Sequence, residues 1–233
     1  MGLIEVTERD GLRWVRLVDD ALTEPLVRAL EAALVVGEAT RVVILAGQPR
    51  IFCSGASPAV IAALREGQVD PAELHLPRAV MRTEVPVIAA MAGHAIGGGL
   101  ALGLSADVVL FGAESRYGAT FMNHGFTPGM GSTRLLEKVM PAALAHELLL
   151  GGEPMRGVEL AARGVPNVWP AGEVEARAEE VALRIADKPR RALRLLKAEL
   201  ARPWLEAFER AFVVEQDMHR ESFAALAEER RHA

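Results

Sequence analysis

Short apolar runs and helical apolar stripes alternate through the first part of the chain. The run Val42–Leu45 is continuous and rich in β-branched residues, which is typical of a strand buried on both faces. Val87–Ala90 and Val108–Phe111 repeat this pattern, and Trp14–Leu17 predicts a further strand near the start. Because helical segments between such runs act as crossover connections, the pattern predicts a largely parallel sheet.

Helical signals surround this region and then replace it. The sequence Thr-Glu-Pro at residues 23–25 predicts a helix start, with apolar positions following at helical spacing. From about Pro141 the strand signal nearly disappears, and we predict helices near residues 142–150, 155–163, 172–187, 190–200 and 203–230. The fold class is therefore α/β, with a core over residues 1–188 and a helical C-terminal region over residues 189–233.

Composition narrows the classes of function. With 26 Lys and Arg against 31 Asp and Glu, the 233-residue chain has a formal net charge of −5. This balance does not favour binding to nucleic acid or to an anionic membrane. The single cysteine, Cys53, excludes an internal disulfide framework and a CxxC metal site. The N-terminus does not read as a signal peptide, and no apolar run has the length of a membrane span, so we expect a cytoplasmic protein.

Two segments of small residues, each following a predicted strand, carry the candidate chemistry. In the segment 51–58, small side chains would let the backbone N–H of Ala56 approach a ligand in a cleft. In the second segment, Gly97–Gly99 separates a strand from a helical run and places free N–H groups at a helix N-terminus. Two N–H donors from different segments are what a developing oxyanion requires. Each segment alone also fits a simple turn or tight strand–helix packing.

Taken in order, several segments resemble the crotonase (enoyl-CoA hydratase/isomerase) superfamily. They are Phe52–Ala56, Pro86–Ala90, Gly93–Gly99, Ala106–Asp107 and Gly125–Leu135. The resemblance extends over roughly residues 4 to 225. It implies a spiral of ββα units with a helical C-terminal region that builds trimers or hexamers. It also implies that the oxyanion hole is formed by the backbone N–H groups of Ala56 and Gly98.

The chain departs from the hydratases of this superfamily at both catalytic glutamates. The resemblance places these glutamates at positions that are Ala101 and Phe121 here. Addition of water to an enoyl thioester needs groups that activate the water and deliver a proton. Alanine and phenylalanine supply neither function, so the sequence argues against hydration. Two apolar residues would instead create a dry pocket, and loss of CO₂ needs only a destabilised carboxylate and an electron sink.

A closer resemblance supports decarboxylation. The segment Phe121–Gly129 is similar to the decarboxylating crotonase homologues of polyketide β-branching cassettes. These proteins act on a 3-methylglutaconyl group carried by acyl carrier protein and give a 3-methylcrotonyl product. The resemblance therefore implies a carbon–carbon lyase whose partner is an acyl carrier protein. It implies no cofactor beyond the phosphopantetheine that carries the substrate, or CoA.

His219 is the candidate acid–base residue. It lies on a stripe of the last predicted helix, whose members recur at helical spacing: Trp204, Phe208, Phe212, Glu215, His219 and Phe223. This placement alone is also expected for a core histidine that binds a backbone carbonyl. The segment Met218–Phe223 resembles the decarboxylating subfamily where it carries a functional histidine, which favours a catalytic role.

The resemblance also implies a cationic side chain in the site, and this chain has no lysine at the corresponding place. The subfamily uses a lysine before the strand at Pro86, whereas the three lysines here are Lys138, Lys188 and Lys197. Arg65 is the first candidate to replace it, followed by His75 and Arg78, because an arginine can bind a carboxylate through its planar fork. We expect Arg65, Ala101, Tyr117 and Phe121 to form the substrate pocket, although Tyr117 fits equally well as an aromatic core residue.

Other motifs do not lead to a site. His146 and Glu147 begin an HExxH-like pattern without its second histidine, so no metal site is predicted. The chain has no GxSxG motif, and His94 and Cys53 are interpreted as structural. Three functions remain open: decarboxylation, another crotonase reaction such as isomerisation or thioester hydrolysis on an acyl-CoA, and non-catalytic binding of an acyl carrier. The intact glycine run argues against the third, since a binding module needs no oxyanion hole.

Overall fold

The computed structural model describes residues 2–66 and 75–232, and for Arg65 and residues 227–232 it describes the backbone alone. The strands are β1 (Ile4–Arg9), β2 (Leu12–Leu17), β3 (Ala21–Leu22), β4 (Val42–Ala46), β5 (Ile51–Cys53), β6 (Gly55–Ala56), β7 (Val87–Met91), β8 (His94–Ile96), β9 (Val108–Gly112), β10 (Arg116–Gly118), β11 (Met155–Arg156) and β12 (Val168–Trp169). The α-helices are α1 (Glu24–Leu34), α2 (Pro58–Arg65), α3 (Leu76–Arg82), α4 (Gly98–Leu104), α5 (Ser132–Val139), α6 (Ala142–Gly151), α7 (Gly157–Ala162), α8 (Val174–Ala186) and α9 (Arg190–His232). Short 3₁₀ helices span Thr120–His124 and Ala171–Glu173.

The larger sheet is almost entirely parallel, as the apolar runs predicted. Its strand order is β1-β2-β4-β7-β9-β12. The neighbours β2 to β12 pair in parallel, and β1 pairs antiparallel with β2. The central strands β4 and β7 are buried at every position, which explains why their sequences are continuously apolar instead of alternating.

A smaller sheet of order β11-β10-β8-β5 lies beside the larger one, and β3 pairs with β6. Consecutive strands divide between the two main sheets: β4, β7 and β9 enter the larger, whereas β5, β8 and β10 enter the smaller. Each pair then leads to a helix, namely α2, α4 or α5. This repeated strand–strand–helix course confirms the predicted spiral of ββα units.

The helical predictions are confirmed in position, with one correction. α1 begins at Glu24 with proline in its first turn, and α8 lies within its predicted range. α6 ends one residue beyond its range, and β11 occupies the first two residues of the range that contains α7. The predicted break near Pro203 is wrong, because α9 runs unbroken from Arg190 to His232. A proline removes the hydrogen bond to the carbonyl four residues earlier. Here both Pro203 and Glu199 are exposed, so water can bind the freed carbonyl and the helix continues.

The C-terminal helix packs on the α/β core. Phe208, Phe212 and Phe223 of α9 join the main hydrophobic cluster, where burial of each such side chain contributes about 1.5–3 kcal/mol. On the other face of the larger sheet, a second cluster includes Val174 and Ala178 of α8. α9 begins two residues beyond the predicted boundary at residue 188, and the division into two units there stays a prediction. Among the described residues, no helix is long and apolar enough to cross a membrane.

Candidate active site

A cavity of about 90 Å³ lies where β6, the glycine run, the Thr120–His124 helix and α9 converge. Its lining is predominantly apolar, and the side chains that carry polar or titratable groups come mainly from α9 and from the 3₁₀ helix. The lining includes Leu22, Gly55, Ala56, Gly98, Phe121, His124, Phe126, Gly129, Met130, Phe212, Glu215 and His219.

The two predicted oxyanion segments meet in this cavity. Gly55 has a φ of +80°, in the region that favours glycine. A Cβ atom at Gly55 would lie 2.7 Å from the Ile96 carbonyl oxygen and 3.2 Å from the Gly98 nitrogen. Glycine is therefore required at residue 55 for the two backbones to approach this closely. Ala56 and Gly98, one from each segment, both line the cavity.

The glycine run allows α4 to begin at the cavity wall. Gly98 is the first residue of α4, and the first N–H groups of a helix have no acceptor within that helix. A Cβ atom at Gly99 would lie 2.2 Å from the carbonyl oxygen of Cys53, so close strand–helix packing also requires a glycine there. Gly99 therefore serves packing, whereas Gly98 lines the cavity and its role as an oxyanion donor stays a prediction.

His219 lies in the cavity and is held by α9 and the loop before α5. His219 is 8% exposed, and its Nε2 atom lies 2.6 Å from the carbonyl oxygen of Thr127. The ring stacks on Phe223 with a centroid distance of 5.4 Å and lies 5.7 Å from Phe126. The carbonyl contact is the one expected of a core histidine, whereas the position in the lining is the one expected of a catalytic residue.

The surroundings of His219 favour a neutral ring. Burial lowers its pKa, and the hydrogen bond to Thr127 opposes that shift only in part. Because a carbonyl oxygen can only accept, Nε2 carries a hydrogen and donates it, which leaves Nδ1 with a lone pair in the neutral ring.

The two positions of the missing glutamates differ in their relation to the cavity. Phe121 lines it and makes an edge-to-face contact with Phe126 at 6.2 Å. Ala101 is fully buried on α4 and is not part of the lining. Phe121 thus places an apolar side chain in the cavity wall where a hydratase has a glutamate. Ala101 is buried in the packing of α4 and does not contribute to that wall.

Tyr117 requires a correction. The sequence suggested that it could line the substrate pocket, but its ring is fully buried away from the cavity lining. Its hydroxyl donates to the carbonyl of Met91 at 2.6 Å and accepts from the backbone N–H of Gly112 at 2.7 Å. Burial raises the pKa of this hydroxyl. Tyr117 therefore fixes strand ends to one another, as the alternative interpretation of a core aromatic residue expected.

Of the three candidates for the missing cation, His75 and Arg78 do not line the described cavity. Arg65 ends α2, and its side chain lies outside the described part of the structure. The Nε2 atom of His75 lies 3.0 Å from a carboxylate oxygen of Glu31. Arg78 donates to both carboxylate oxygens of Glu209 at 2.7 Å, which lowers the pKa of that carboxyl group. Within the described lining, the basic side chains are those of His124 and His219.

Glu215 is a residue of the site that the sequence did not single out. Its carboxylate accepts hydrogen bonds from the N–H of Gly131 at 2.6 Å and from Thr133 through N–H and hydroxyl at 3.0 and 2.6 Å. Burial raises its pKa, and these donors oppose the shift. The sequence could have pointed to Glu215, because it is a charged residue on the apolar stripe of α9. A buried charged residue needs polar partners.

The remaining candidate residues, His94, Cys53 and His146, lie outside the cavity lining. His94 Nδ1 accepts the N–H of Arg116 at 2.9 Å, and burial raises the pKa of the Cys53 thiol to about 12. His146 pairs with Glu137 at the surface, with a distance of 2.9 Å. Among the described residues, no group of three or more His, Cys, Asp or Glu side chains could hold a metal ion.

Sequence comparison gives relatives over nearly the whole chain. A family model described as enoyl-CoA hydratase/isomerase matches residues 16–231. The bacillaene synthase decarboxylase PksI of Bacillus subtilis is 39% identical over 203 residues, which cover 87% of this chain and 81% of the relative. A probable mitochondrial enoyl-CoA hydratase 2 of Arabidopsis thaliana is 28% identical over 206 residues, covering 84% of this chain and 66% of the relative.

Structural comparison points to the same group of proteins. A solved structure of a dehydratase/decarboxylase enzyme couple involved in polyketide β-branching superposes with a TM-score of 0.92 at 35% identity, covering 95% of this chain and 94% of the other. The ECH2 decarboxylase domain of CurF from Lyngbya majuscula superposes with a TM-score of 0.90 at 34% identity, with the same coverage of 95% and 94%.

Proposed function

The chain belongs to the enoyl-CoA hydratase/isomerase family as one of its decarboxylases, and we propose that its substrate is a 3-methylglutaconyl-type thioester carried on an acyl carrier protein. The product is the corresponding 3-methylcrotonyl-type thioester, formed during polyketide β-branching. One observation carries this proposal: an apolar cavity, with Phe121 in place of a hydratase glutamate, is lined by both Ala56 and Gly98.

The oxyanion hole would accept the charge that decarboxylation releases. When the bond to the carboxylate breaks, its electron pair enters the conjugated system and the negative charge develops on the thioester oxygen as a dienolate. The N–H groups of Ala56 and Gly98 would donate to that oxygen. A single preorganised donor of this kind typically contributes about 3–4 kcal/mol to transition-state stability.

The apolar lining would destabilise the carboxylate before it leaves. Transfer of a carboxylate from water to an apolar cavity is costly, whereas neutral CO₂ carries no such cost. Phe121 and Phe126 form this apolar wall and lie in edge-to-face contact. No general base is required for this step, which agrees with the absence of glutamate at residues 101 and 121.

His219 would supply the proton that completes the reaction. Burial lowers the pKa of His219 and so favours the neutral ring. An anion nearby would make the ring a better base, because a negative charge stabilises the imidazolium form. Entry of the substrate carboxylate would thus favour the imidazolium form, and His219 would take up the required proton from solvent. After CO₂ leaves, the imidazolium would return its proton to the dienolate and become neutral again.

We further propose that the protein acts in the cytoplasm as a homotrimer, or as a hexamer of two trimers, and receives its substrate on phosphopantetheine. Exposed apolar side chains on α9 support self-association, because a free surface of this kind is unfavourable in water. They are Leu195, Leu196, Leu200, Val213 and Val214. Light scattering on the purified protein tests this assembly.

Direct turnover tests the function. The protein is incubated with 3-methylglutaconyl thioester on acyl carrier protein, and loss of CO₂ from the carrier is followed by mass spectrometry. Rapid loss of CO₂ is expected, together with negligible hydration of a crotonyl thioester. Hydration without decarboxylation would show that the protein is a different crotonase.

The variants Gly98→Pro and Gly98→Ala separate the donor from its surroundings. Proline is tolerated at the first position of a helix, yet it removes the N–H. Alanine keeps the N–H but adds a Cβ atom 2.5 Å from Sδ of Met130. We expect Gly98→Pro to lose about 10²–10³ in kcat relative to Gly98→Ala. Equal rates for the two variants, both folded by circular dichroism, would remove Gly98 from the oxyanion hole.

A further inference from the structure

Met130 adopts a backbone conformation that its side chain does not favour. Its φ is +59°, in the left-handed region. The other described non-glycine residues in that region are Asp10 and Asn167, whose short polar side chains tolerate it. A methionine has no such local compensation, so its neighbours must hold it there.

Helix α9 holds the turn on both sides of Met130. A Cβ atom at Gly129 would lie 2.4 Å from Cε1 of His219, and one at Gly131 would lie 2.1 Å from Cδ2 of Phe208. Glu215, on the same helix, accepts the N–H of Gly131 at 2.6 Å. The same carboxylate also binds Thr133 in the first turn of α5, so the turn is fixed from α9.

The conformation places the Met130 side chain against the oxyanion segment. Met130 is 6% exposed and lines the cavity. A Cβ atom at Gly98 would lie 2.5 Å from its Sδ atom and 3.6 Å from its Cε atom. Leu22 closes the same space, since its Cδ1 atom would lie 3.1 Å from that Cβ. The region beside the first N–H of α4 is therefore filled by a thioether.

We propose that Met130 determines specificity at the α-carbon of the thioester, admitting an unsubstituted α-carbon and excluding one that carries a methyl group. This inference rests on the proposed function. A thioester oxygen bound at the Gly98 N–H brings the carbonyl carbon, and the α-carbon bonded to it, beside Gly98. Met130 occupies the space that a substituent on that carbon would need. Glu215 acts as the positioning residue, because it anchors the turn that carries Met130.

Two pantetheine thioesters test the proposal, one of 3-methylglutaconate and one of 2,3-dimethylglutaconate. The measured quantity is the ratio of their kcat/KM values for decarboxylation. We expect the wild-type protein to favour the first substrate by at least about tenfold, the lower range for one methyl group in a tight pocket. Met130→Ala and Met130→Gly should move the ratio about tenfold or more toward the dimethyl substrate.

Met122→Ala is the matched control, and Glu215→Gln tests the positioning role of Glu215. Met122 is 44% exposed and does not line the cavity, so its variant should keep the wild-type ratio. Met130→Gly should fold even if Met130→Ala does not, because glycine adopts a positive φ without strain. Glu215→Gln should move the ratio of kcat/KM values in the same direction as Met130→Ala. A purely structural role of Glu215 would lower the melting temperature and leave this ratio unchanged.

The outcomes distinguish this inference from the proposed function. Wild-type protein that decarboxylates neither substrate overturns both. Wild-type protein that decarboxylates both equally, or folded Met130 variants that keep the wild-type ratio, overturns the specificity role and leaves the decarboxylase intact. A ratio that moves in the Met130 variants and stays constant in Met122→Ala establishes it.

Discussion

The Nε2 atom of His219 lies 2.6 Å from the carbonyl oxygen of Thr127, and this single contact fixes both the orientation and the tautomer of the ring. Because Nε2 donates to a backbone carbonyl, the free lone pair lies on Nδ1. His219 lines the apolar cavity, so its other nitrogen is the one available for the proton transfer proposed above. The contact itself fits both a packing role and a catalytic role.

Replacement of this ring separates its two roles. We expect His219→Ala to lower kcat by about 10²–10⁴, the usual contribution of one acid–base group. His146→Ala is the matched control, because His146 is an exposed histidine that pairs with Glu137 outside the cavity. Both kcat per folded molecule and melting temperature are measured on the same preparations. A lower melting temperature with kcat within a few-fold of wild type would reduce His219 to a packing residue.

The pH dependence of stability gives an independent measure of His219. Its pKa is lower in the folded protein than the ordinary value of 6.5, so the unfolded chain binds more protons below that value. The stability contribution is thus complete above pH 6.5 and is lost as pH falls through the folded pKa. We expect wild-type protein to lose more stability than His219→Gln between pH 7.5 and 5 in urea titrations. Parallel losses would show that this histidine is not buried in the neutral form.

Periodicity predicted most of the fold, because burial determines which residues a strand or helix can contain. The continuous runs at β4, β7 and β9 indicated strands covered on both faces, and the structure places them in the centre of the parallel sheet. The continuity of α9 through Pro203 was not predictable from the chain. It depends on the exposure of Glu199 and Pro203, which is a tertiary property.

The backbone part of the candidate site was predictable from the sequence, because its geometry requires glycine. The side-chain part was less predictable, because it depends on contacts between residues that are distant in sequence. Gly55 and the run 97–99 marked the segments that meet in the cavity. Tyr117 is close to Phe121 in sequence, yet its hydroxyl binds the carbonyl of Met91 at the end of β7 in the larger sheet, and the residue does not line the cavity. The role of Glu215 depends on its contact with Gly131, which is 84 residues away along the chain. No local pattern encodes such a contact.

Phe121 tests the need for an apolar wall. Phe121→Glu should raise KM and lower kcat for decarboxylation, because a carboxylate in the lining attracts water and repels the substrate carboxylate. Phe121→Gln is the matched control, since it has nearly the same shape and polarity without the charge. We expect the glutamate variant to lose at least about tenfold more in kcat/KM than the glutamine variant, equivalent to about 1.4 kcal/mol. Similar losses in both would assign the effect to packing instead of charge.

Lys138 anchors the end of α4 that lies opposite the oxyanion segment. Its Nζ atom donates to the carbonyls of Leu104 and Ser105, each at 3.1 Å, and to that of Ala106. Burial lowers the pKa of this amine to about 8, although the nearby carboxylate of Asp107 opposes the shift. The last carbonyls of a helix have no partner within it, so Lys138 satisfies groups that would otherwise be buried without a donor.

Lys138→Met should lower the free energy of unfolding by about 1–3 kcal/mol, the cost of leaving a buried polar group unpaired. Lys188→Met is the control, because Lys188 is exposed and its replacement should have little effect.

The difference in unfolding free energy between wild type and Lys138→Met should also depend on pH. Because the pKa is about 8 in the folded protein and 10.5 in the unfolded chain, the unfolded chain binds more protons between those values. Wild-type stability therefore gains from this group as pH rises from 8 to 10.5, and Lys138→Met lacks that gain. Urea titrations of both proteins at pH 7.5 and 9.5 should show a wider gap at the higher pH. A gap that stays constant would mean that the Lys138 amine titrates normally and that its contacts with the α4 carbonyls are not maintained in solution.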